Sequence, residues 1–537
     1  MSKSLWSHLL LGVLLFVFSS LGLGYRHLWQ DEIETAERAR AILQTGFPQV
    51  ILSEEDVSLN AHGRELEEGS LHRYSPWGQF YWGATGLAIG PHLGFSRDQS
   101  VREPFVFAHA ATSTILSYGL AQLAGVPLPL ALVVGATYGL QTTRLLHHRT
   151  SRYHALLDLF AALGILALGF CRRNQKRGWS ILAIVIFLAP QVHTLGGSLL
   201  AALLGIMSLC VLMLKEKSQR EWKTWVLFCV LPGLITLITL LGLTRPWAQG
   251  AWGTMTGEHL FRSITNKSFV RYALDYTLVA TLFAVVFKKR QLAAVLCVLM
   301  ISAYLLTGAL DAHPFSQARY YLYLPTFFLF WNIVFQPFMV TQKKFQWAHG
   351  LVILIFILGP DLTTRQFSAF QGLKVVWNDF QKARSQEKQP LHLALEEIRT
   401  EQKPVLIDYV PQFVNWYLPG WPQALLPDAT QRTELNHSNP IWQKPPVMPY
   451  WHLWYSSWES GGWVCMPHCD YVADEWNEER TQYKLTSQRL GESQKMCVVR
   501  EWSTNPWNNA PFELMLPESF TPRGRADGRL TLAKVCP

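Results

Sequence analysis

Long apolar runs separated by short polar breaks fill the first two thirds of the chain. Residues 5–24 carry no formal charge, and about 20 such residues suffice to cross a bilayer as a helix. Runs of the same kind predict spans at 104–124, 127–146, 153–170, 179–192, 194–214, 225–243, 272–287, 291–310, 320–338 and 347–359. Residues 76–94 are also apolar, but Gly78, Gly83, Gly86, Gly90 and Pro91 make a poor regular span. They are expected to lie in the interface, anchored by Trp77, Tyr81 and Trp82. The expectation is eleven spans, the first an uncleaved anchor rather than a signal peptide.

A different pattern follows the first run. Ile33, Ala36, Ala39 or Arg40, and Leu43 recur at helical spacing, which predicts a short amphipathic helix on the membrane surface. Asp31 and Glu32 open it. Two roles compete for Asp31: a helix N-cap, or a base that takes a proton from a hydroxyl at the water–lipid boundary.

Charge sets the orientation. Of 537 residues 49% are apolar and 16% charged, below the ~25% of ordinary soluble chains. The net charge of +9 comes largely from clusters at Arg172-Arg173, Lys176-Arg177, Lys215 to Lys223, Lys288-Lys289-Arg290 and Lys343-Lys344, all in short breaks between runs. Such clusters mark cytoplasmic loops and argue against nucleic acid as the partner. They place the N-terminus in the cytoplasm and the C-terminus outside, and gather 25–102, 147–152, 244–271 and 311–319 on the outer face. Past residue 374 the chain turns polar and Trp-rich, with a strand expected at 404–410 and a short helix at 412–418. Cys465, Cys469, Cys497 and Cys536 form an even set there, as exported disulfides do. The expected fold class is an α-helical polytopic membrane protein over 1–365 with an extracytoplasmic α/β domain over 374–537.

An anchor followed by Asp31-Glu32 and a helix ending Ala39-Arg40-Ala41-Ile42-Leu43-Gln44-Thr45-Gly46 resembles the polyprenyl-phosphate-dependent glycosyltransferases of the C-type membrane fold. Protein O-mannosyltransferases and the lipid A aminoarabinose transferase belong to that superfamily. Tyr74 to Trp82 looks like its second surface helix, and Arg102-Glu103-Pro104 like its arginine at the outer start of the next span. The resemblance implies transfer of a sugar from a polyprenyl-phosphate donor to an extracytoplasmic acceptor at a bacterial inner membrane. Asp31 would inherit the role of base, with Glu32 beside it. No cofactor is required by this reading, and a divalent metal is left open.

The chain departs from that pattern where relatives carry two further acids. Leu71-His72-Arg73-Tyr74 stands before the second surface helix, and His147-His148-Arg149-Thr150-Ser151-Arg152-Tyr153-His154 in the loop after the third span. Arginine and histidine there suit phosphate instead. Arg149, Arg152, Arg319 and Tyr320 are the expected donor-phosphate residues, with His72, Arg73, His154 and His193 in support, and Asp158 a lower-ranked acid. Two other readings stay open: a transporter or flippase for lipid-linked sugars, and a non-catalytic scaffold whose tail binds envelope glycan.

Overall fold

Helices form where the apolar runs place them. The computed structural model describes residues 3–49, 52, 71–72, 75–214, 222–243, 371–401, 403–407, 412–421, 451–455, 496–503 and 529–535, with single positions between 297 and 357. The spans expected at 272–287, 291–310 and 320–338 therefore lie outside or mostly outside the described residues, and the one at 347–359 is described only in part. The chain divides into two compact units. One comprises Met1–Ser20, Ser75–Gln79 and Phe105–Leu373, the other Leu21–Tyr74, Phe80–Pro104 and Lys374–Pro537.

In the first unit α1 covers Lys3–Ser20 and leaves Trp6, Leu10, Val13, Leu14 and Val17 exposed, the side a span turns to lipid. Helix α4 runs Arg97–Gln122, and α5 runs Leu128–Leu140. Gly135 and Gly139 stack one turn apart on α5 and let it approach Leu11 and Leu15 of α1 and Ser113 and Ser117 of α4. The run expected as one span at 127–146 is broken. Gln141 is extended (ψ 127°), and α6 starts again at Thr142–His148. The Gln141 side-chain amide donates to the Ile357 carbonyl at 3.0 Å and Thr142 Oγ1 accepts the Gly372 N–H at 3.2 Å, so side chains at the break bond distant backbone.

Helices α7 (His154–Arg172), α8 (Lys176–Val192) and α9 (Thr194–Leu214) pack tightly, with α8 touching the other two. Small residues make the contacts. A Cβ at Gly164 would stand 2.6 Å from Leu204, one at Gly178 2.6 Å from the Ala167 carbonyl, and one at Gly197 would overlap the Ala189 carbonyl. Helix α10 begins at Trp222–Trp225, passes a π-turn at Val226–Val230 and continues over Leu231–Leu243. Among the described residues three helices are long and apolar enough to cross a membrane, at His154–Arg172, Thr194–Leu214 and Trp222–Leu240, and Ser4–Ser20 and Leu128–Leu140 are shorter apolar helices. The count of eleven stays an expectation.

In the second unit α2 covers Gln30–Thr45 and ends on Gly46 (φ +83°), whose N–H bonds the Ile42 carbonyl. Ile33, Ala36 and Ala39 form its fully buried stripe, as the helical period requires. Helix α3 covers Gly78–Ile89, and its Tyr81 hydroxyl donates to the Gly46 carbonyl at 2.8 Å. The C-terminal half of α3 lies directly on α4. A Cβ at Gly86 would overlap the Ser100 carbonyl oxygen and stand 2.6 Å from Pro104 Cγ. Gly86→Val is accordingly expected to destabilise this unit by about 1–3 kcal/mol or more, read as a lowered Tm of the protein in detergent.

The tail adds α11 (Gln371–Arg384), α12 (Pro390–Thr400), α13 (Gln412–Tyr417) and four strands. These are β1 (Val405–Ile407), β2 (Trp451–Tyr455), β3 (Met496–Ser503) and β4 (Arg529–Val535), in the order β1-β2-β4-β3. β1 and β2 are parallel, and β4 is antiparallel to both β2 and β3. Val405, Trp451, Leu453, Leu530 and Leu532 are buried, so Trp451 serves as core. The strand and helix expected at 404–410 and 412–418 are β1 and α13. Cys465, Cys469 and Cys536 lie outside the described residues, so the expected pairing of the tail cysteines remains an expectation.

Candidate active site

The start of α2 separates its two acids. Trp29 occupies the N-cap position, so Asp31 is the second helical residue and not the cap. Carboxylates are favoured there by the positive end of the helix dipole. Asp31 is half-buried, whereas Glu32 has no exposure at all. Glu32 turns inward and receives the Trp29 N–H at 3.3 Å.

Arg102, on α4, meets Glu32 with two parallel bonds, Nε to Oε1 at 2.7 Å and Nη2 to Oε2 at 2.5 Å. Its remaining donors reach the carbonyls of Leu23 (2.9 Å), Arg26 (2.7 Å) and His27 (3.1 Å). All five guanidinium N–H groups are thereby used. Burial alone would lower this guanidinium, and the adjoining Glu32 carboxylate more than reverses the effect, so Arg102 stays charged. The pair fixes the irregular segment before α2 and thus where Asp31 sits. Of the two acids expected in chemistry, Glu32 is engaged in holding the other.

His72 is fully buried against the same helix. Its Nδ1 accepts from Arg38 Nε at 3.3 Å, which leaves the proton of the neutral ring on Nε2, 3.8 Å from Glu34 Oε1. Its backbone N–H bonds the Pro48 carbonyl at 2.8 Å, and Gln49 bridges Leu71 beside it. His72 therefore ties the stem of the 50–70 connection to α2. Arg73 lies outside the described residues, as do Arg319 and Tyr320.

His27 lies just ahead of α2. Its backbone N–H and Nδ1 both meet Gln389 Oε1, at 3.0 and 2.6 Å. Burial holds its imidazole well below the ordinary value of 6.5, and His392 nearby adds to this; burial lowers His392 too. Below about pH 6.5 the unfolded chain takes up protons that these native rings refuse, so native stability falls as pH drops. Tm is expected to decline between pH 7 and 5, and His27→Gln to make that decline shallower in a thermal series.

In the first unit the structure assembles a second polar cluster. Asp158 of α7, 1% exposed, accepts the Tyr138 hydroxyl at 2.5 Å. Arg144 Nε stands 3.5 Å and His148 Nε2 3.6 Å from the same oxygen. His148 Nδ1 meets His109 Nδ1 at 2.8 Å, and His109 Nε2 meets the Gly139 carbonyl at 2.9 Å. A carbonyl only accepts, so His109 donates through Nε2 and His148 donates through Nδ1. Four helices, α4, α5, α6 and α7, are joined by this chain of groups.

A ring ladder lies alongside. His147 faces His154 at 5.0 Å, and Tyr153 faces His154 at 4.3 Å and His193 at 4.0 Å. Arg152 stands 5.4 Å over Tyr153, and Arg149 is buried where α6 ends. His193 Nδ1 accepts the Gly196 N–H at 3.0 Å, capping α9. The structure thus gathers His147, His154, His193 and Arg152 around Tyr153 and turns His148 away toward His109. Among the described residues no three His, Cys, Asp or Glu side chains converge as metal ligands. Asp158, ranked lower as an acid from the sequence, stands at the centre of the polar cluster. His109, Tyr138 and Arg144 carried no signal beyond being polar in or beside apolar runs.

No family model matches the sequence, and neither does any curated protein. Among solved structures the chain is similar to ArnT from Cupriavidus metallidurans bound to undecaprenyl phosphate, at 12% identity and TM-score 0.47, over 99% of this chain and 98% of that one. It is similar to the apo form of the same protein at 13% identity and TM-score 0.44, over 98% and 97%. The oligosaccharyltransferase of Archaeoglobus fulgidus in its apo form follows at 9% identity and TM-score 0.36, over 77% and 64%.

Proposed function

We propose that the protein transfers a sugar from a polyprenyl-phosphate carrier to a hydroxyl on an extracytoplasmic acceptor, at the outer face of a bacterial inner membrane. The observation that carries this reading is the unequal fate of two neighbouring acids. Glu32 is sealed against Arg102, whereas Asp31, on the same helix, is only half-buried. A carboxylate so placed takes the acceptor proton as the hydroxyl oxygen forms its bond to the anomeric carbon. The bond from that carbon to the phosphate oxygen breaks with inversion, and its electrons leave on the lipid phosphate. Guanidinium groups at Arg149 and Arg152, and at Arg319, are assigned to that phosphate charge. Membrane spans give such an enzyme access to a carrier that never leaves the bilayer.

Incubating the purified protein with a panel of polyprenyl-phosphate sugars tests the reading. Sugar-dependent release of lipid phosphate is the expected result. Movement of intact donor across sealed vesicles without cleavage identifies a flippase instead, and absence of both leaves a scaffold.

A further inference from the structure

The segment 21–29 that delivers the chain to α2 has no regular secondary structure, so its backbone polar groups need side-chain partners. Arg102 takes three of its carbonyls. Two of its N–H groups go to the tail. Gln389 Oε1 takes His27 N–H, and the Tyr417 hydroxyl takes Leu28 N–H at 2.8 Å.

That hydroxyl is itself oriented. It donates to Asp98 Oδ2 at 2.8 Å, while Trp416 Nε1 donates to Asp98 Oδ1 at 2.8 Å. Asp98 is 6% exposed and belongs to the first turn of α4, the helix that also carries Arg102. With its proton committed to Asp98, the Tyr417 oxygen must present lone pairs to Leu28. Arg97 stacks 4.3 Å over Trp416 and bonds its carbonyl at 3.1 Å, and Arg40 of α2 bonds the Asn415 carbonyl at 2.8 Å. Helix α13 is thus anchored to both α2 and α4.

We propose that Tyr417, aligned by Asp98, is a positioning residue for Asp31: the polar tail reaches back to hold the peptide three residues before the base. The inference deepens the transfer reading above and rests on it for its kinetic arm. It makes the tail part of the reaction centre's framework rather than an appended glycan-binding module.

Tyr417→Phe removes one oxygen and keeps the ring. It is expected to lower kcat about tenfold, short of the ~100-fold that a 1 Å misplacement costs, with KM for the lipid-linked sugar unchanged. A second arm needs no turnover. In an Asp31→Cys background, the rate of labelling by a water-soluble maleimide should change at least threefold (about 0.6 kcal/mol) when Tyr417→Phe is added. Leu532→Val, buried in the sheet on β4, serves as a control for general loss of stability and should change neither. Wild-type kcat and labelling in Tyr417→Phe overturn the proposal, as does an equal effect from Leu532→Val. If the unmodified protein shows no transfer, the functional reading fails and the labelling arm alone decides this one.

Discussion

Asp31→Asn is expected to cut sugar transfer by about 10²–10⁴-fold, the usual contribution of a positioned general base. The substitution keeps the size of the side chain and an acceptor oxygen at the second position of α2. Helix stability should change by no more than about 1 kcal/mol, because only the charge at the dipole's positive end is lost. Lipid-phosphate release falls while Tm and detergent behaviour stay close to those of the parent. Glu32→Gln separates the two acids. It leaves the charge of Arg102 without its counter-ion in a buried place and should act first on stability. A turnover loss in Asp31→Asn with an unchanged Tm is the pattern that assigns chemistry to residue 31.

Arg102→Met should have the largest effect on folding. It removes both bonds to a fully buried carboxylate and orphans the carbonyls of Leu23, Arg26 and His27 at once. Breaking a buried pair from one side costs about 3–5 kcal/mol, since the surviving charge remains desolvated. Thermal unfolding in detergent should show that loss, and limited proteolysis should find segment 21–29 newly open. The double variant Glu32→Met/Arg102→Met is expected to recover part of the stability, as an apolar pair avoids the stranded charge. It does not recover all of it, because the three carbonyls still lack a donor.

How much of this was legible beforehand follows from the range of the forces involved. Period and hydropathy are local, so α2 and its stripe Ile33, Ala36 and Ala39, the bounds of α9 and the strand–helix start of the tail were readable from the chain. The break at Gln141 was not. Apolar residues flank it on both sides, and the side chains there bond Ile357 and Gly372, more than 200 residues away. The same holds for the site. Asp31 could be singled out by type and placement and Arg102 by the family resemblance, but nothing local told that Glu32 would face Arg102 across 70 residues. Leu28 finds Tyr417 across 389. His148 illustrates the limit in another way: it follows His147 directly in the sequence, yet packing against α4 gives it His109 as its partner. Polar pairs between elements are decided by tertiary approach, and a helical or strand period carries no information about them.

The central claim is that residue 31 is reachable from the exported side of the membrane. A single Asp31→Cys in sealed, oriented membrane vesicles, treated with a membrane-impermeant maleimide, reads this directly. Labelling from the exported face of intact vesicles is the expected result, blocked by prior incubation with a polyprenyl-phosphate sugar. Labelling only from the cytoplasmic face, or only after the vesicles are permeabilised and the protein unfolded, would contradict it.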